Sequence, residues 1–350
     1  MQAKQNEITN HTPHRIYLWD NLKFILIFLV VFGHFIQYYT NDSKFTEKLY
    51  TYIYSFHMPA FLFISGLFSK KAIKTKNYRK CFEFFVLYVF TKLCIFISKL
   101  ITNGDYKLSL FDENGVPWYA FALMAFFLMT MFLQQLHPLY LFAFSIVMGC
   151  ISGYDKDIND FFVSSRIIIF YPFFLAGFFL DAKKVAALVS KWYTKVAALT
   201  VHILWLTYLW NVKDSSVIWC PIVTGREHLD EIGINYFWYR LIYYTFAFIL
   251  IFSVIALAPT GKHLISGMGS RSIQVYSLHR GFIYLFYYYM PADELLKIYG
   301  EVNLHFVLFG LSLILTLFLS IPILARPLQL VLKPKWIKTS PMIETHRTAA

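Results

Sequence analysis

Ten predominantly apolar runs, each long enough to cross a bilayer, constrain this chain more than any other feature. They cover 21–40, 50–69, 80–101, 118–134, 136–153, 165–181, 194–211, 237–257, 271–290 and 303–324. A helix needs about 20 such residues to span the hydrocarbon core, within a range of about 17–25. Composition agrees with this reading. Of 350 residues, 58% are hydrophobic and 15% are charged, with 37 Phe and 25 Tyr. Mean hydropathy is +0.52. A soluble domain carries roughly 25% charged residues and could not cover so much apolar surface. The expected fold is therefore an all-α integral membrane protein of about ten transmembrane helices. The first twenty residues are polar and no small-residue cleavage site follows the first run. That run is read as a retained span rather than a signal peptide.

Charge sets the expected orientation. The net charge is +12, which in a soluble protein would point to nucleic acid. Here the cations lie in short loops between apolar runs, so no nucleic-acid partner is expected and membrane lipid is. The segments on one side, including both ends of the chain, hold nearly three times as many Lys and Arg as the opposite loops, and those loops carry most of the acids. "KKAIKTKNYRK" (Lys70 to Lys80) is the strongest cluster. The positive-inside rule then puts both termini in the cytoplasm. The expected organisation is a cytoplasmic tail at 1–20, one membrane domain at 21–324 and a basic cytoplasmic tail at 325–350. The loop 212–236 holds "VIWCPIV", too short to span but apolar enough to dip into the interface. Cys81, Cys94, Cys150 and Cys220 are scattered, with neither a disulfide framework nor a metal site among them.

Polar groups inside the runs need a reason. In "DNLKFILIFLVVFGHFIQYY" (Asp20 to Tyr39), Lys23 and His34 are eleven residues apart. At 3.6 residues per turn they share a face, roughly 16 Å apart along the axis. Asp20, Lys23, Ile27, Val30, His34 and Tyr38 form one stripe, which must line a cavity or meet other polar spans. Lys23 falls at the cytoplasmic end and His34 in the outer half. Taken alone, Lys23 also fits an interfacial anchor, and His34 fits a packing histidine bonded to a neighbouring helix. Further on, His57 lies at a depth similar to His34. Lys92 sits mid-span with no route to snorkel, so it should pair or face water. His279 and Arg280 fall midway along the ninth run. His202 and His305 read as structural. Cations at the inner end suit a phosphate-bearing ligand. A histidine in a low-dielectric cavity suits proton abstraction from a hydroxyl. Both an enzyme acting across the bilayer and a transporter or flippase of a glycan intermediate fit these residues. No paired halves of the kind common in transporters are visible.

The motifs carry a resemblance. Lys23, ten residues and His34 resemble the R/K-x10-H signature of the acyltransferase-3 family of membrane O-acyltransferases. "FHMPAFLFISGLF" (Phe56 to Phe68) resembles the HMPxFFxxSG stretch of its sugar O-acetylation branch. Lys76 to Lys80 resembles the arginine-rich entrance to the third span. "PWYAFALMAF" (Pro117 to Phe126) and "SRSIQVYSLHRGF" (Ser270 to Phe282) resemble two later segments of the family. The matches keep the family's order from about Asp20 to Phe318. Lysine stands at position 23 where arginine is common, and it cannot bind phosphate bidentately. Arg79 is the one arginine at the third-span entrance.

The resemblance implies acetyl-CoA as acyl donor, bound from the cytoplasm, with no metal. It implies a hydroxyl of a cell-surface glycan or lipid-linked sugar as acceptor, in a bacterial plasma membrane. Lys23 and Arg79 would face the CoA phosphates. His34 would be the catalytic residue, as general base or transient acyl carrier. His57, Trp118 and His279 are substrate-contact or oxyanion candidates.

Overall fold

The computed structural model describes residues 15–332, except 105–106, 110–114, 156, 159 and 226–234. The far ends of both expected tails lie outside the described residues. Fifteen α-helices and no β-strand are found among them. In chain order they are α1 Tyr17–Ile36, α2 Lys44–Tyr54, α3 His57–Lys74, α4 Tyr78–Asn103, α5 Trp118–Leu133, α6 Pro138–Ile151, α7 Ser164–Phe179 and α8 Ala182–Val189. Then follow α9 Trp192–Asn211, α10 Ser215–Thr224, α11 Tyr236–Leu257, α12 Leu264–Gly269, α13 Ser272–Tyr289, α14 Ala292–Leu319 and α15 Pro322–Leu332.

Each of the ten apolar runs holds helix, but the helices do not all match the runs. Among the described residues, four helical stretches are long and apolar enough to cross a membrane: Tyr17–Tyr39, Tyr78–Asn103, Tyr236–Leu257 and Ala292–Leu319. A fifth counts if α7 and α8, bent by 92°, form one broken span. The run 50–69 is broken between α2 and α3. Phe56 leaves the helical region at φ −138°, and Pro59 then sits in the first turn of α3, where its missing N–H costs nothing. The outer loop expected at 291–302 is instead the start of α14, kinked at Gly300 (φ 69°, ψ 166°). The segment expected to dip into the interface is α10, which buries Trp219, Ile222 and Val223. Lys92 meets a need the sequence raised: its ammonium donates to the Ser109 carbonyl and lies 5.2 Å from the Tyr88 ring centroid.

Helix α1 is the central strut. It packs against α2, α3, α11, α12, α13 and α14. Its apolar face (Leu18, Leu22, Leu26 and Val31 among others) is buried. Asp20 lies in its first turn, where an anion suits the helix dipole. Asn21 fixes its start. The side-chain amide donates to the carbonyls of Pro259 (2.7 Å) and Gly261 (2.8 Å), and its oxygen accepts from Ser266 Oγ (2.6 Å). Asn21 is fully buried, so Asn21→Ala strands three polar groups at once. Each buried orphan costs about 1–3 kcal/mol. Of the three, Ser266 is the buried one, while the Pro259 and Gly261 carbonyls reach solvent, so the expected loss is about 1–3 kcal/mol, read as a lower unfolding midpoint of the purified protein.

Helices α3 and α7 cross with their backbones in direct contact. A Cβ built on Gly66 would lie 2.0 Å from the Phe174 carbonyl oxygen, and one on Gly177 would lie 2.0 Å from that of Phe63. Small residues allow such backbone approach between membrane helices. This clamp positions His57 and Met58 on α3 relative to Arg166 and Phe170 on α7.

Candidate active site

The polar stripe of α1 faces a cavity, as its spacing requires. Lys23, Ile27, Val30 and His34 all line a space of about 290 Å³ enclosed by α1, α3, α4, α5 and α13. Its walls are apolar, built from Phe61, Ile64, Phe84, Leu87, Leu123 and Phe127. Polar groups gather at the end that Lys23 marks, where Lys80 and Ser270 also contribute.

That mouth carries net positive charge. Asp20 is shared by Lys23 Nζ (2.8 Å) and Arg15 Nη2 (2.7 Å). Glu83 is shared by Lys80 Nζ (2.6 Å) and Arg79 Nε (3.5 Å). Two cations to each carboxylate leave an excess that favours an anion. Arg79 does not line the cavity; Lys80, its neighbour, does. The sequence reading passed over Lys80 in favour of the arginine.

A second, smaller cavity of about 40 Å³ meets the same histidine. It is lined by Tyr54, His57, Trp118, Arg166 and Thr224, and it shares His34, Met58, Val116 and Trp118 with the first. His34 therefore stands where two spaces join. Arg166 is 1% exposed; its Nη2 donates to Asp160 at 2.8 Å, and its guanidinium lies 5.4 Å from the Trp118 ring centroid. An arginine in an apolar run is a functional signal in itself, and this one went unread in the sequence.

Three imidazoles cluster here. The His34 and His279 ring centroids are 5.3 Å apart. Tyr54 lies beside both His34 and His57, its ring centroid 6.4 Å from the first and 4.5 Å from the second. His57 Nδ1 donates to the Ile53 carbonyl (2.7 Å). His279 Nδ1 donates to those of Val275 (2.9 Å) and Tyr276 (3.0 Å). A carbonyl only accepts, so each neutral ring keeps its lone pair on Nε2. Both are then acceptors towards the site rather than donors. His279 Nε2 is buried with no hydrogen-bond partner among the described residues. Arg280 adds a cation, with Nη1 3.5 Å from the His34 carbonyl oxygen and its guanidinium 4.6 Å from the Tyr284 ring centroid. His202 and His305 lie elsewhere, bonded to Tyr52 (2.9 Å) and Thr46 (2.8 Å).

No group of three or more His, Cys, Asp or Glu side chains that could hold a metal is found among the described residues. The arrangement offers an apolar channel with a cationic mouth, an imidazole at the end away from that mouth, and a small polar space beyond. This is suited to an elongated anionic donor meeting a second reactant.

Comparisons with known proteins bear on which reaction this is. Two curated relatives, both described as nodulation protein NolL, match part of the chain. The one from Mesorhizobium japonicum is 26% identical over 183 residues, 48% of this chain and 48% of the relative. The one from Sinorhizobium fredii is 32% identical over 128 residues, 32% of this chain and 35% of the relative. The chain thus spans about half or less of the length of these relatives. No solved structure matches. The acyltransferase-3 family model, described as an acyltransferase domain, matches residues 16–325. That range takes in α1 through α14 and both cavities, so the chain belongs to the acyltransferase-3 family.

Proposed function

We propose that this protein is a membrane O-acyltransferase that moves an acetyl group from acetyl-CoA to a hydroxyl of a cell-surface glycan or lipid-linked sugar. The reading includes ten spans in a bacterial plasma membrane, both termini cytoplasmic, and donor entry from the cytoplasm. The observation that carries it is the meeting of two cavities at His34, one of them with a cationic mouth. The family match favours acyl transfer over the transport reading.

In this reading Lys23 and Lys80 hold the donor phosphates, with Arg79 alongside as a second-rank contact. The apolar walls take the pantetheine arm, and exclusion of water there strengthens every charge interaction. His34 Nε2 takes the proton of the acceptor hydroxyl as its oxygen attacks the thioester carbonyl. The new C–O bond forms and the C–S bond breaks. His34 then returns the proton to the departing thiolate. His57 and His279 present lone pairs and so suit hydroxyl groups of the acceptor. Trp118 and Arg166 carry the N–H groups suited to the developing oxyanion.

The test is donor-dependent labelling. Membranes with the protein, given radiolabelled acetyl-CoA, should transfer label to a glycan fraction, and membranes without it should not. Equal labelling in both would end the proposal. For the donor mouth, Lys23→Ala should raise the apparent KM for acetyl-CoA about tenfold, the scale of one charged hydrogen bond. Lys23→Arg should retain near-normal KM, since the charge remains and the fork adds geometry. An unchanged KM in Lys23→Ala removes Lys23 from donor binding.

A further inference from the structure

Helix α1 tightens into a 3-10 turn at Gln37–Tyr39. That turn follows His34 directly and brings Gln37 over it, since residues three apart on a helix are neighbours. His34 Nδ1 and Gln37 Oε1 are 2.9 Å apart. The amide oxygen accepts, so Nδ1 carries the hydrogen and Nε2 keeps its lone pair.

This contact differs in kind from those of its two neighbours. His57 and His279 each spend Nδ1–H on a carbonyl four residues back in the chain. Backbone fixes those tautomers, and no side-chain change can alter them. Of these three imidazoles, only that of His34 has its Nδ1 held by a side chain. The histidine at the junction of both cavities is therefore the one whose proton position depends on a single residue.

We propose that Gln37 is a positioning residue for acyl transfer: its amide oxygen holds His34 in the Nδ1–H form, with Nε2 free to take the acceptor's proton. The inference rests on His34 acting as the base. A base in the wrong tautomer presents N–H where a lone pair is needed. Other groups also face His34. They are Arg280 and His279 on α13, Tyr54 on α2, His57 on α3 and Arg166 on α7. None of these is hydrogen-bonded to its Nδ1.

The experiment compares Gln37→Met, Gln37→Glu and His34→Ala in the full chain, with radiolabelled acetyl-CoA and the membranes' own acceptor. Gln37→Met is expected to lower kcat roughly 10–100-fold, the scale of losing an orienting partner, with the KM for acetyl-CoA within about twofold. Gln37→Glu, still an acceptor and now charged, should keep most of kcat and move the acid limb of the pH profile upward. A purely structural Gln37 would leave the His34 tautomer of Gln37→Met unchanged. Activity in His34→Ala would overturn the base assignment and this inference with it. Inactive His34→Ala beside a Gln37→Met of normal kcat and profile would overturn this inference alone. Nitrogen NMR of histidine-labelled protein in nanodiscs reads the tautomer without catalysis. Assigned by its absence in His34→Ala, the His34 signal should show Nδ1–H in the wild type and an Nδ1–H/Nε2–H mixture in Gln37→Met. A wild-type Nε2–H signal refutes the proposal.

Discussion

His34→Ala is expected to lower acetyl transfer by a factor of about 10²–10⁴, the usual contribution of a positioned general base. The protein should still reach the membrane in normal amount. His34 is half-buried and looks into two cavities, and its ring makes one side-chain hydrogen bond, to Gln37. Removing the ring enlarges an existing space rather than opening one in a close-packed core, so the cost to folding is small beside the cost to chemistry. His34→Gln does not separate a base from an acyl carrier, because glutamine does neither. A covalent acetyl-histidine would instead appear as label on the wild-type chain in the absence of acceptor. Full activity in both His34 variants, measured at equal protein, would sink the catalytic assignment.

The second large effect lies away from the chemistry. Gly66→Val and Gly177→Val are each expected to yield no folded protein, and the alanine variants to cost at least the upper part of the roughly 1–3 kcal/mol typical of overpacking. A Cβ at either position meets carbonyl oxygen at 2.0 Å and backbone nitrogen at 2.8–2.9 Å on the facing helix. Backbone cannot turn aside as a side chain can, so α3 and α7 must separate. The two clashes are relieved by the same separation. The double alanine variant should therefore cost less than the sum of the singles, because the sites are coupled. Strict additivity in unfolding midpoints would show that the contacts act independently. Because α3 carries His57 and α7 carries Arg166, survivors should lose kcat out of proportion to stability.

Helical periodicity made the α1 stripe legible, since it depends only on spacing within one helix. The similar depth of His57 and His34 came from their places along their runs, and the choice of His57 and His279 as site candidates came with the family's motifs. What stayed hidden depended on how helices turn and bend. Lys80 rather than Arg79 enters the cavity because one residue is about 100° of rotation on a helix, and the sequence does not give the phase of α4. Gln37 was three residues from the histidine and within reach on spacing alone, but it lies where the helix changes pitch. Arg166 meets His34 only across α3, α5 and α7. The break in the run 50–69 and the kink at Gly300 are invisible to hydropathy, which sums apolar content and ignores direction.

The break between α2 and α3 has a mechanical consequence. Several of its polar groups are taken up within the break: Ser55 N–H and Oγ donate to the carbonyls of Thr51 and Tyr52, His57 Nδ1 donates to that of Ile53, and Ala60 N–H to that of Phe56. The Trp205 indole then bonds Ser55 Oγ at 3.2 Å. The interruption is thus tied both to its own two helices and, through Trp205, to α9. It behaves as a bracket rather than a hinge. Tyr54 at the end of one arm and His57 at the start of the other stand with their rings 4.5 Å apart, so the angle between the two arms sets how both face His34.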